Sequence, residues 1–363
     1  MNKLFIHAVN IHQGGGKILL DALIKLDTLK SDRVFLLDKR MVVPNQSSEL
    51  DYIKRVSPSV LHRFLAEWWL SRQVRRGDTL LCFGNLPPLF KVPGHVVVFV
   101  QNRYLLENVS LSDCTRGERF RLRIERLWIR SKLSNTDEFI VQTPSMKIML
   151  GSMIDRFSAR NRKKRGGIKR RQIIRVLPLV DSVNAYQRKY INIVEDISKV
   201  YDFVYVASGT PYKNHKRLIE AWALLAEEGV FPSLCLTFDK TIFSELSHWV
   251  DEKITRYDLN VENVGNLPHE GIIQLYGKSK ALIYPSTFES FGLPLIEARQ
   301  MGLSVIASEL DYVRDVLDPE ESFNPESAIS ISRAVCRFLK LDEVALPLQN
   351  AGQFLKSIRK KTD

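Results

Sequence analysis

The stretch ALIYPSTFESFGLPLIEARQMG, residues 281–302, decides how the rest of the chain folds around it. It opens with the short apolar run Ala281 to Tyr284, which predicts a buried strand of a parallel sheet. After a polar loop, Gly292 and Pro294 predict the start of a helix, because proline has no N–H to leave unpaired in a first helical turn. The stretch is therefore interpreted as a strand, a loop and a helix.

Three amides and two carboxylates surround this predicted turn. The N–H groups of Phe291, Gly292 and Leu293 are expected at the helix N-terminus, where free amides and the helix dipole favour an anion such as phosphate. Glu289 and Glu297 lie on either side of them, with seven residues between, and carboxylates repel a phosphate. They are better suited to accepting hydrogen bonds from hydroxyl groups. An anion site between two hydroxyl-binding groups predicts a nucleotide sugar as the ligand.

The segment YPSTFESFGLPLIEA, residues 284–298, resembles the Glu-x7-Glu signature of retaining glycosyltransferases with the GT-B fold, the group 1 set also called family four. The resemblance implies an α/β fold of two Rossmann-like doubly wound domains with an interdomain cleft. It further implies that Glu297 binds the ribose hydroxyls of the donor. Glu289 would bind the hydroxyls of the donor sugar.

The segment Ser208 to Lys216 resembles the part of this family that supplies a basic pair to the donor pyrophosphate. Lys213 falls at the family lysine, which implies a catalytic role in stabilising the leaving diphosphate. Ala207 stands where the family has an arginine, so the chain departs from the pattern there. Lys216 and Arg103 are both candidates to supply the missing charge.

A run of glycines early in the chain predicts a second phosphate contact. Gly14, Gly15 and Gly16 separate a predicted strand, Lys3 to Asn10, from a predicted helix, Lys17 to Leu29. Glycines let a backbone approach a phosphate closely, although they also serve simply to turn a chain, and this is not the GxGxxG dinucleotide fingerprint. By the family resemblance, such a loop lies over the donor phosphates, so the second and third glycines are predicted donor contacts.

Two further loops follow predicted strands. Gly265 and Asn266 match the family position that packs against the nucleobase of the donor. Gln101, Asn102 and Arg103 follow a valine-rich strand, at the carboxyl end where open parallel sheets bind ligands, and are predicted acceptor-side residues. Capping of the following segment is the alternative role for these three. Related enzymes carry a histidine in this region, and this chain does not.

The length and the distribution of charge predict two domains with different ligands. The chain has 363 residues, and 100–200 residues per domain is typical. Residues 1–180 carry 33 Lys and Arg against 15 Asp and Glu, a net charge of +18, whereas residues 181–363 carry 20 against 26, a net charge of −6. The predicted parts are an acceptor-side Rossmann-like domain, 1–180, a donor-binding domain, 181–345, and a helix that returns to the first domain, 346–363.

The basic half contains segments that favour an anionic membrane surface as a partner. Gly117 to Ser134 predicts an arginine-rich amphipathic helix, which either binds such a membrane or packs its apolar face inward and leaves its arginines in solvent. After a short predicted helix, Ser145 to Ser152, residues 156–171 hold nine Lys or Arg and no acid, which predicts a basic loop. Apart from Phe157 near its start the loop has no aromatic residue, so no nucleic acid is expected as a partner.

Another predicted helix, Val60 to Arg76, carries two adjacent tryptophans, Trp68 and Trp69. Neighbouring residues cannot face the same way on a helix. Either one tryptophan lies in the core and the other at a membrane surface, or both are partly buried against neighbours.

The sequence predicts no metal and no cofactor, since the nucleotide sugar is a co-substrate. The four cysteines are scattered without a CxxC pair, as in a reduced cytosolic protein, and the seven histidines show no ligand spacing. No apolar run approaches the roughly 18 residues of a membrane span, and no signal peptide is evident. We therefore expect a cytoplasmic protein attached peripherally to the inner face of the cell membrane.

The leading prediction is a metal-independent, retaining hexosyltransferase that moves a sugar from a UDP- or GDP-sugar to a lipid-linked glycan acceptor. The resemblance suggests O-antigen or capsule synthesis, with Glu289 and Lys213 as the catalytic residues. Glycoside hydrolysis is disfavoured, because no pair of catalytic carboxylates flanking a water site is evident. A nucleotide-sugar epimerase of the same fold and a non-catalytic GT-B-like binding partner remain alternatives, the second because of Ala207.

Overall fold

The structure is a computed structural model, and it describes residues 2–25, 33–43, 52–107, 111, 114–162, 172–180, 199–341 and 351–353. Within these residues the strands fall into two separate parallel sheets. Helices cover both faces of the first sheet and pack on the second. This is an α/β architecture, as predicted.

The first sheet has seven strands: β1 (Leu4–Ala8), β2 (Arg33–Asp38), β3 (Tyr52–Val56), β4 (Thr79–Cys82), β5 (His95–Val100), β6 (Glu138–Val141) and β7 (Ile173–Val176). Their order is β3-β2-β1-β4-β5-β6-β7, and every pairing is parallel. The inner strands β2 and β5 are mostly apolar and buried over nearly their whole length, because a parallel sheet covered on both faces must bury both sets of side chains.

In the described ranges, four helices flank this sheet: α1 (Gly14–Lys25), α2 (Val60–Gln73), α3 (Arg116–Ser131) and α4 (Pro144–Arg162). α1 buries Leu19, Leu20 and Ile24 on one face of the sheet. The other three helices contribute to a single hydrophobic cluster on the opposite face. That shared cluster fixes which sides of α2 and α3 point away from the protein.

The second sheet has six parallel strands: β8 (Tyr201–Tyr205), β9 (Leu234–Leu236), β10 (Val261–Asn263), β11 (Ser279–Tyr284), β12 (Ser304–Ser308) and β13 (Glu321–Phe323). Their order is β10-β9-β8-β11-β12-β13. The accompanying helices are α5 (His215–Glu227), α6 (Ser244–Tyr257), α7 (His269–Gly277), α8 (Leu293–Gln300), α9 (Asp311–Arg314) and α10 (Ala328–Phe338).

Strand order reverses beside β1 in the first sheet and beside β8 in the second, so each sheet has a topological switch point. In open α/β sheets, ligands bind outside the carboxyl ends of the strands at such a point. The glycine run follows β1, and Lys213 follows β8. The loop carrying Glu289 follows β11, which pairs directly with β8. The topology therefore places the predicted site segments at both switch points.

Several predicted boundaries were wrong. α1 begins at Gly14 rather than Lys17, so the glycines form its first turn instead of a preceding loop. α4 continues to Arg162, well past the predicted end at Ser152, and takes up the start of the predicted basic loop. Two of the four edge strands, β3 and β13, were not predicted, because both are short and only partly buried.

Three predictions concern residues that lie largely outside the described ranges. The remainder of the basic loop, 163–171, lies outside the described residues. The predicted domain boundary at 180 adjoins residues 181–198, which also lie outside them, so the division stays a prediction. Of the predicted C-terminal helix, 351–353 are helical and the rest is not described.

Candidate functional site

The loop between β11 and α8 is fixed by the backbone and by its neighbours. The Ser308 hydroxyl donates to the Ser286 carbonyl at 3.0 Å, and the Tyr312 hydroxyl donates to the same carbonyl at 2.8 Å. Gly292, with φ 74°, makes the turn into α8, and a methyl group there would come within 2.8 Å of Cδ1 of Leu295. Only glycine adopts this conformation at this distance without strain.

Glu289 is held in the loop by three donors that all reach its Oε1 atom. The Ser286 hydroxyl donates at 2.8 Å, the Tyr284 hydroxyl donates at 3.0 Å, and the Lys213 ammonium forms an ion pair. The Glu289 side chain is 13% exposed. Among the described residues no donor reaches its Oε2 atom, so one carboxylate oxygen is anchored and the other is available to a ligand hydroxyl.

Lys213 reaches this carboxylate because its own turn is clamped. It ends a short 3-10 turn, and its carbonyl accepts a hydrogen bond from the Tyr205 hydroxyl at 2.6 Å. The next residue, Asn214, has φ 63° and donates from Nδ2 to the carbonyls of Pro285 and Pro325, at 3.0 and 2.7 Å. The first bond ties the lysine turn to the β11 loop, and the second ties it to the segment after β13.

The Lys213 ammonium has three N–H groups. One is directed at Glu289 and one at the Tyr284 hydroxyl, 3.3 Å away. The third is not used by another described residue and suits a phosphate oxygen.

The side chains of Tyr205, Tyr284 and His215, which lie around the Lys213–Glu289 ion pair, are buried and remain neutral. Burial, and secondarily the Glu289 charge, raises the pKa values of the Tyr205 and Tyr284 hydroxyls well above their usual range. Both therefore stay protonated and able to donate. Burial and the nearby Lys213 charge lower the pKa of His215 to about 3. The His215 ring packs between Tyr205 and Phe238, with ring-centroid distances of 4.8 and 5.1 Å.

Two helix N-termini, one packed on each sheet, lie next to each other. A methyl group on Gly15 of α1 would come within 2.9 Å of Cδ1 of Leu293, the first residue of α8. Gly16 lies beside Gln101, whose Oε1 would be 3.6 Å from such a methyl group. The free amides and dipoles of both helices therefore converge on the same region. The structure brings together the predicted glycines, Gly292 and the α8 amides.

Arg103 joins the first sheet to the Glu289 loop. Its backbone N–H donates to the Ser290 hydroxyl at 2.9 Å, and its Nη1 donates to the Glu289 carbonyl at 3.3 Å. The guanidinium also pairs with Asp311 at 3.0 Å and with Glu107 at 2.7 Å. Two carboxylates thus already occupy it, so the residue serves as a clasp between the two sheets rather than as an open cation.

The other two predicted acceptor-side residues have structural contacts. Gln101 donates from Nε2 to the Phe83 carbonyl at 3.0 Å. The Asn102 side chain accepts from the Tyr104 N–H at 3.0 Å and caps the short 3-10 turn that follows, which is the alternative role given above. Next to this cap, the Tyr104 ring packs on Phe288 of the Glu289 loop, with centroids 4.4 Å apart.

Glu297 lies in α8 and is nearly buried. Its Oε1 is 3.2 Å from Nε2 of His269, and its Oε2 accepts a long 3.4 Å bond from the Tyr276 hydroxyl. His269 begins α7, directly after the loop that contains Gly265 and Asn266. Gly265 turns that loop with φ 79°. The predicted ribose-binding carboxylate and the predicted nucleobase loop are therefore neighbours.

Neither Lys216 nor Arg103 is placed as a simple replacement for the family arginine that is absent at Ala207. Lys216 lies over the Trp249 ring, 5.5 Å from its centroid, on α5. Arg103 is paired as described. Among the described residues, no cluster of three or more His, Cys, Asp or Glu side chains could hold a metal ion. A cavity of about 510 Å³ lies beside Thr287 and Asn324, and none of the predicted site residues lines it.

Sequence reasoning missed the residues that hold the two glutamates. Ser286 and Tyr284 lie in the signature segment, and their hydroxyls three and five positions before Glu289 were a usable signal. His269 and Asp311 are separated from their partners by long stretches of chain, and no spacing in the sequence points to them.

Part of the chain is similar to known glycosyltransferases. Residues 187–353 match the family model described as glycosyl transferases group 1, which confirms the predicted resemblance over that part of the chain. The O-antigen chain mannosyltransferase B of Escherichia coli is 27% identical over 163 residues, covering 42% of this chain and 41% of that protein. The serotype-specific mannosyltransferase WbdA of Escherichia coli is 31% identical over 148 residues, covering 39% and 17%. The chain thus matches less than half the length of these curated relatives.

Solved structures share the fold over nearly the whole chain. An α,α-trehalose-phosphate synthase (UDP-forming) from Burkholderia vietnamiensis superposes with a TM-score of 0.67 at 10% identity, covering 94% of this chain and 92% of that one. HepE of Anabaena in complex with UDP-glucose gives a TM-score of 0.65 at 13% identity, covering 94% and 90%. At these identities the likeness shows the fold alone, and it confirms the predicted GT-B arrangement.

Proposed function

We propose that this chain is a retaining, metal-independent glycosyltransferase of the group 1 type, which moves a sugar from a UDP- or GDP-sugar to a lipid-linked glycan acceptor. The match of residues 187–353 to the group 1 family supports the reaction class. The similarity to O-antigen mannosyltransferases supports a role in O-antigen assembly. The lipid-linked acceptor that we propose would bring the protein to the cytoplasmic face of the membrane. The likeness to HepE in complex with UDP-glucose supports a nucleotide-sugar donor.

The donor diphosphate would lie between the neighbouring helix N-termini. The amides of Gly15 and Gly16 approach from α1, and those of Gly292 and Leu293 from α8. The unused N–H of Lys213 would bind a phosphate oxygen and stabilise the negative charge that develops as the diphosphate leaves. Helix amides and an ammonium would then supply the charge stabilisation that a metal ion supplies in other transferases.

The observation that carries the proposal is the state of the Glu289 carboxylate. Three donors fix its Oε1, and no described residue donates to its Oε2. A carboxylate anchored in this way accepts a hydrogen bond from a sugar hydroxyl with its position already determined, so little ordering is required on binding. Glu297, beside the Gly265 loop, is placed to accept bonds from ribose hydroxyls.

Retention follows if the acceptor attacks from the side on which the diphosphate leaves. A donor phosphate oxygen would accept the proton of the acceptor hydroxyl, the new glycosidic bond would form at the anomeric carbon, and the bond from that carbon to the phosphate oxygen would break. The chain then needs no separate protein base at that position. Lys213 and the helix amides would hold the departing diphosphate in place for this proton transfer.

The test uses the purified full-length protein with a panel of UDP- and GDP-sugars. A donor that binds the folded state should raise the melting temperature, because binding to the native state stabilises it. With that donor and a lipid-linked saccharide extract, we expect acceptor-dependent release of nucleoside diphosphate and a product whose anomeric configuration equals that of the donor, measured by NMR. Isomerised donor without transfer would identify an epimerase instead. Binding without turnover across acceptors would identify a non-catalytic partner.

A further inference from the structure

Helices α2 and α3 both turn apolar side chains toward solvent. On α3 the buried residues are Leu122 and Ile129, whereas Phe120, Ile124 and Leu127 are 67%, 44% and 65% exposed. These three recur at i, i+4 and i+7, so they form one stripe. The expected inward packing is found for Trp128 of the predicted apolar face, beside the buried Leu122 and Ile129, but not for the stripe. A stripe on the solvent side of a packed helix contributes nothing to the core.

The same arrangement recurs on α2. This helix buries Ala66, Glu67 and Leu70 against the sheet. Its exposed face carries five large apolar residues at helical spacing: Val60, Leu61, Phe64, Leu65 and Trp68. Isolated exposed apolar residues are normal on protein surfaces, but adjoining stripes on two helices make a patch of the kind that marks an interaction site.

The two stripes point away from the same face of the protein. Leu70 of α2 and Ile129 of α3 belong to one hydrophobic cluster on one face of the seven-stranded sheet, so the opposite sides of both helices face outward together. The helices are also in direct contact, because the Arg63 guanidinium lies over the Trp128 ring, 4.6 Å from its centroid. We call the outer faces of these two helices the α2–α3 surface.

Arginines border this apolar patch. Arg116, Arg121 and Arg123 of α3 are exposed beside its stripe. On α2 the Arg72 guanidinium lies over the exposed Trp68 ring, 4.8 Å from its centroid. Apolar side chains rimmed by arginine fit the boundary of a bilayer, where the chains enter the acyl region and the guanidinium groups remain among phosphates. A purely apolar protein partner would leave these charges unpaired.

We propose that the α2–α3 surface docks on an anionic phospholipid bilayer, with the apolar stripes inserted and the arginines paired to lipid phosphates. The inference rests on the proposed function for the reason the protein meets a membrane, namely its lipid-linked acceptor. The surface itself is argued only from exposure, position and charge. In the described part of the chain, no helix is long and apolar enough to cross a bilayer.

The experiment is sedimentation of the purified full-length protein with vesicles, without donor or acceptor. Vesicles of phosphatidylglycerol and phosphatidylcholine are compared with phosphatidylcholine alone. We expect binding to the anionic vesicles that weakens with salt. A triple variant, Leu65→Gln, Ile124→Gln and Leu127→Gln, should bind at least about tenfold more weakly, because three inserted side chains become polar. The matched control changes three exposed apolar residues of the other half: Phe231→Gln, Ile242→Gln and Ile329→Gln.

The charge is tested separately. Replacing both Arg116 and Arg123 with alanine should weaken anionic-vesicle binding about 20- to 30-fold, at about 1 kcal/mol for each arginine near the leaflet. The control replaces Arg217 and Arg256, which are exposed on the other half, and should change binding little. Circular dichroism melting checks that each variant folds.

Besides a parent protein that does not bind anionic vesicles, two results would overturn the proposal. One is vesicle binding of the apolar triple variant equal to that of the parent. The other is a parent dimer that this variant converts to a monomer while vesicle binding is unchanged, which would make a second copy of the chain the occupant. Failure of the proposed function looks different: the protein would bind vesicles through this surface and yet transfer no sugar. A protein that transfers sugar but ignores vesicles would overturn only the surface.

Discussion

Replacing Glu289 with glutamine separates the charge of this side chain from its shape. The glutamine carbonyl can still accept from Ser286 and Tyr284, whose hydroxyls lie 2.8 and 3.0 Å from Oε1. What is lost is the charge that pairs with Lys213 and would receive a sugar hydroxyl. The variant therefore removes a charge-assisted bond on each side of the carboxylate while leaving the loop packed.

The size of the effect follows from the exposure of the pair. The Lys213 and Glu289 side chains are only 12% and 13% exposed, so solvent screens their interaction weakly. A hydrogen bond to a charged group contributes about 1.5–3 kcal/mol to stability and a neutral one about 0.5–1.5 kcal/mol. The free energy of unfolding of the variant should therefore be lower by about 1–2 kcal/mol. Losing the charged bond to the sugar as well should lower kcat/KM by about 100-fold, or about 2.7 kcal/mol.

The assay is acceptor-dependent release of nucleoside diphosphate, together with a thermal melt of each protein. Glu220→Gln is the matched control, because Glu220 also pairs with a cation, Arg217, but lies exposed on α5 away from the cleft. We expect the control to keep parental kcat/KM. A Glu289→Gln protein that melts normally and stays within about threefold of parental kcat/KM would refute the reasoning.

Three other changes test the surroundings of the site. Arg103→Ala should lower kcat/KM about tenfold, measured by the same release assay, because it removes charged bonds that hold the Glu289 loop to the first sheet. Gly15→Ala should weaken donor binding in a thermal-shift titration, since the added methyl group would meet Leu293 at 2.9 Å, whereas Gly117→Ala has open space and should leave it unchanged. His215→Phe should make the free energy of unfolding fall less steeply as the pH is lowered. Burial lowers the pKa of His215 from 6.5 to about 3, so between these values the unfolded chain binds a proton that the folded chain does not bind. The free energy of unfolding of the parent should therefore fall by about 2 kcal/mol by about pH 5.

Each of these changes has a contrary outcome. Parental kcat/KM in the Arg103 variant would mean that the Glu289 loop keeps its position without the Arg103 contacts to it. Equal donor affinity in the two glycine variants would mean that the neighbouring helix N-termini do not enclose the donor. An acid melting profile of the His215 variant that matches the parent would mean that the ring is protonated in the folded state.

The strand, loop and helix around Glu289 were predictable because their signals are local. An apolar run ends at Tyr284, and a proline stands in the first turn of the following helix, as observed for β11 and α8. The periodicity of α3 was equally visible. Periodicity identifies a stripe but not which side of the helix meets the core. The neighbours that decide this come from strands far away in the chain.

The contacts that fix the site geometry were not predictable for the same reason. Arg103 meets Glu289 across 186 positions of sequence, and no pattern in either segment names the other. His269 meets Glu297 only because α7 and α8 pack at the same end of the sheet. The glycines of α1 were predicted to form a loop, because glycine has a low helix propensity. In the structure they form the first turn of the helix, so their position at the switch point outweighs that low propensity.

The central claim is that a nucleoside diphosphate lies between the N-termini of α1 and α8 with its terminal phosphate on Lys213. A crystal structure of the full-length protein with the nucleoside diphosphate that most raises its melting temperature tests this directly. We predict the terminal phosphate within hydrogen-bonding distance of the Lys213 ammonium and of amides at Gly15 or Leu293, with the ribose hydroxyls on Glu297. A nucleotide bound elsewhere, with both Glu289 and Glu297 facing away from it, would contradict the account.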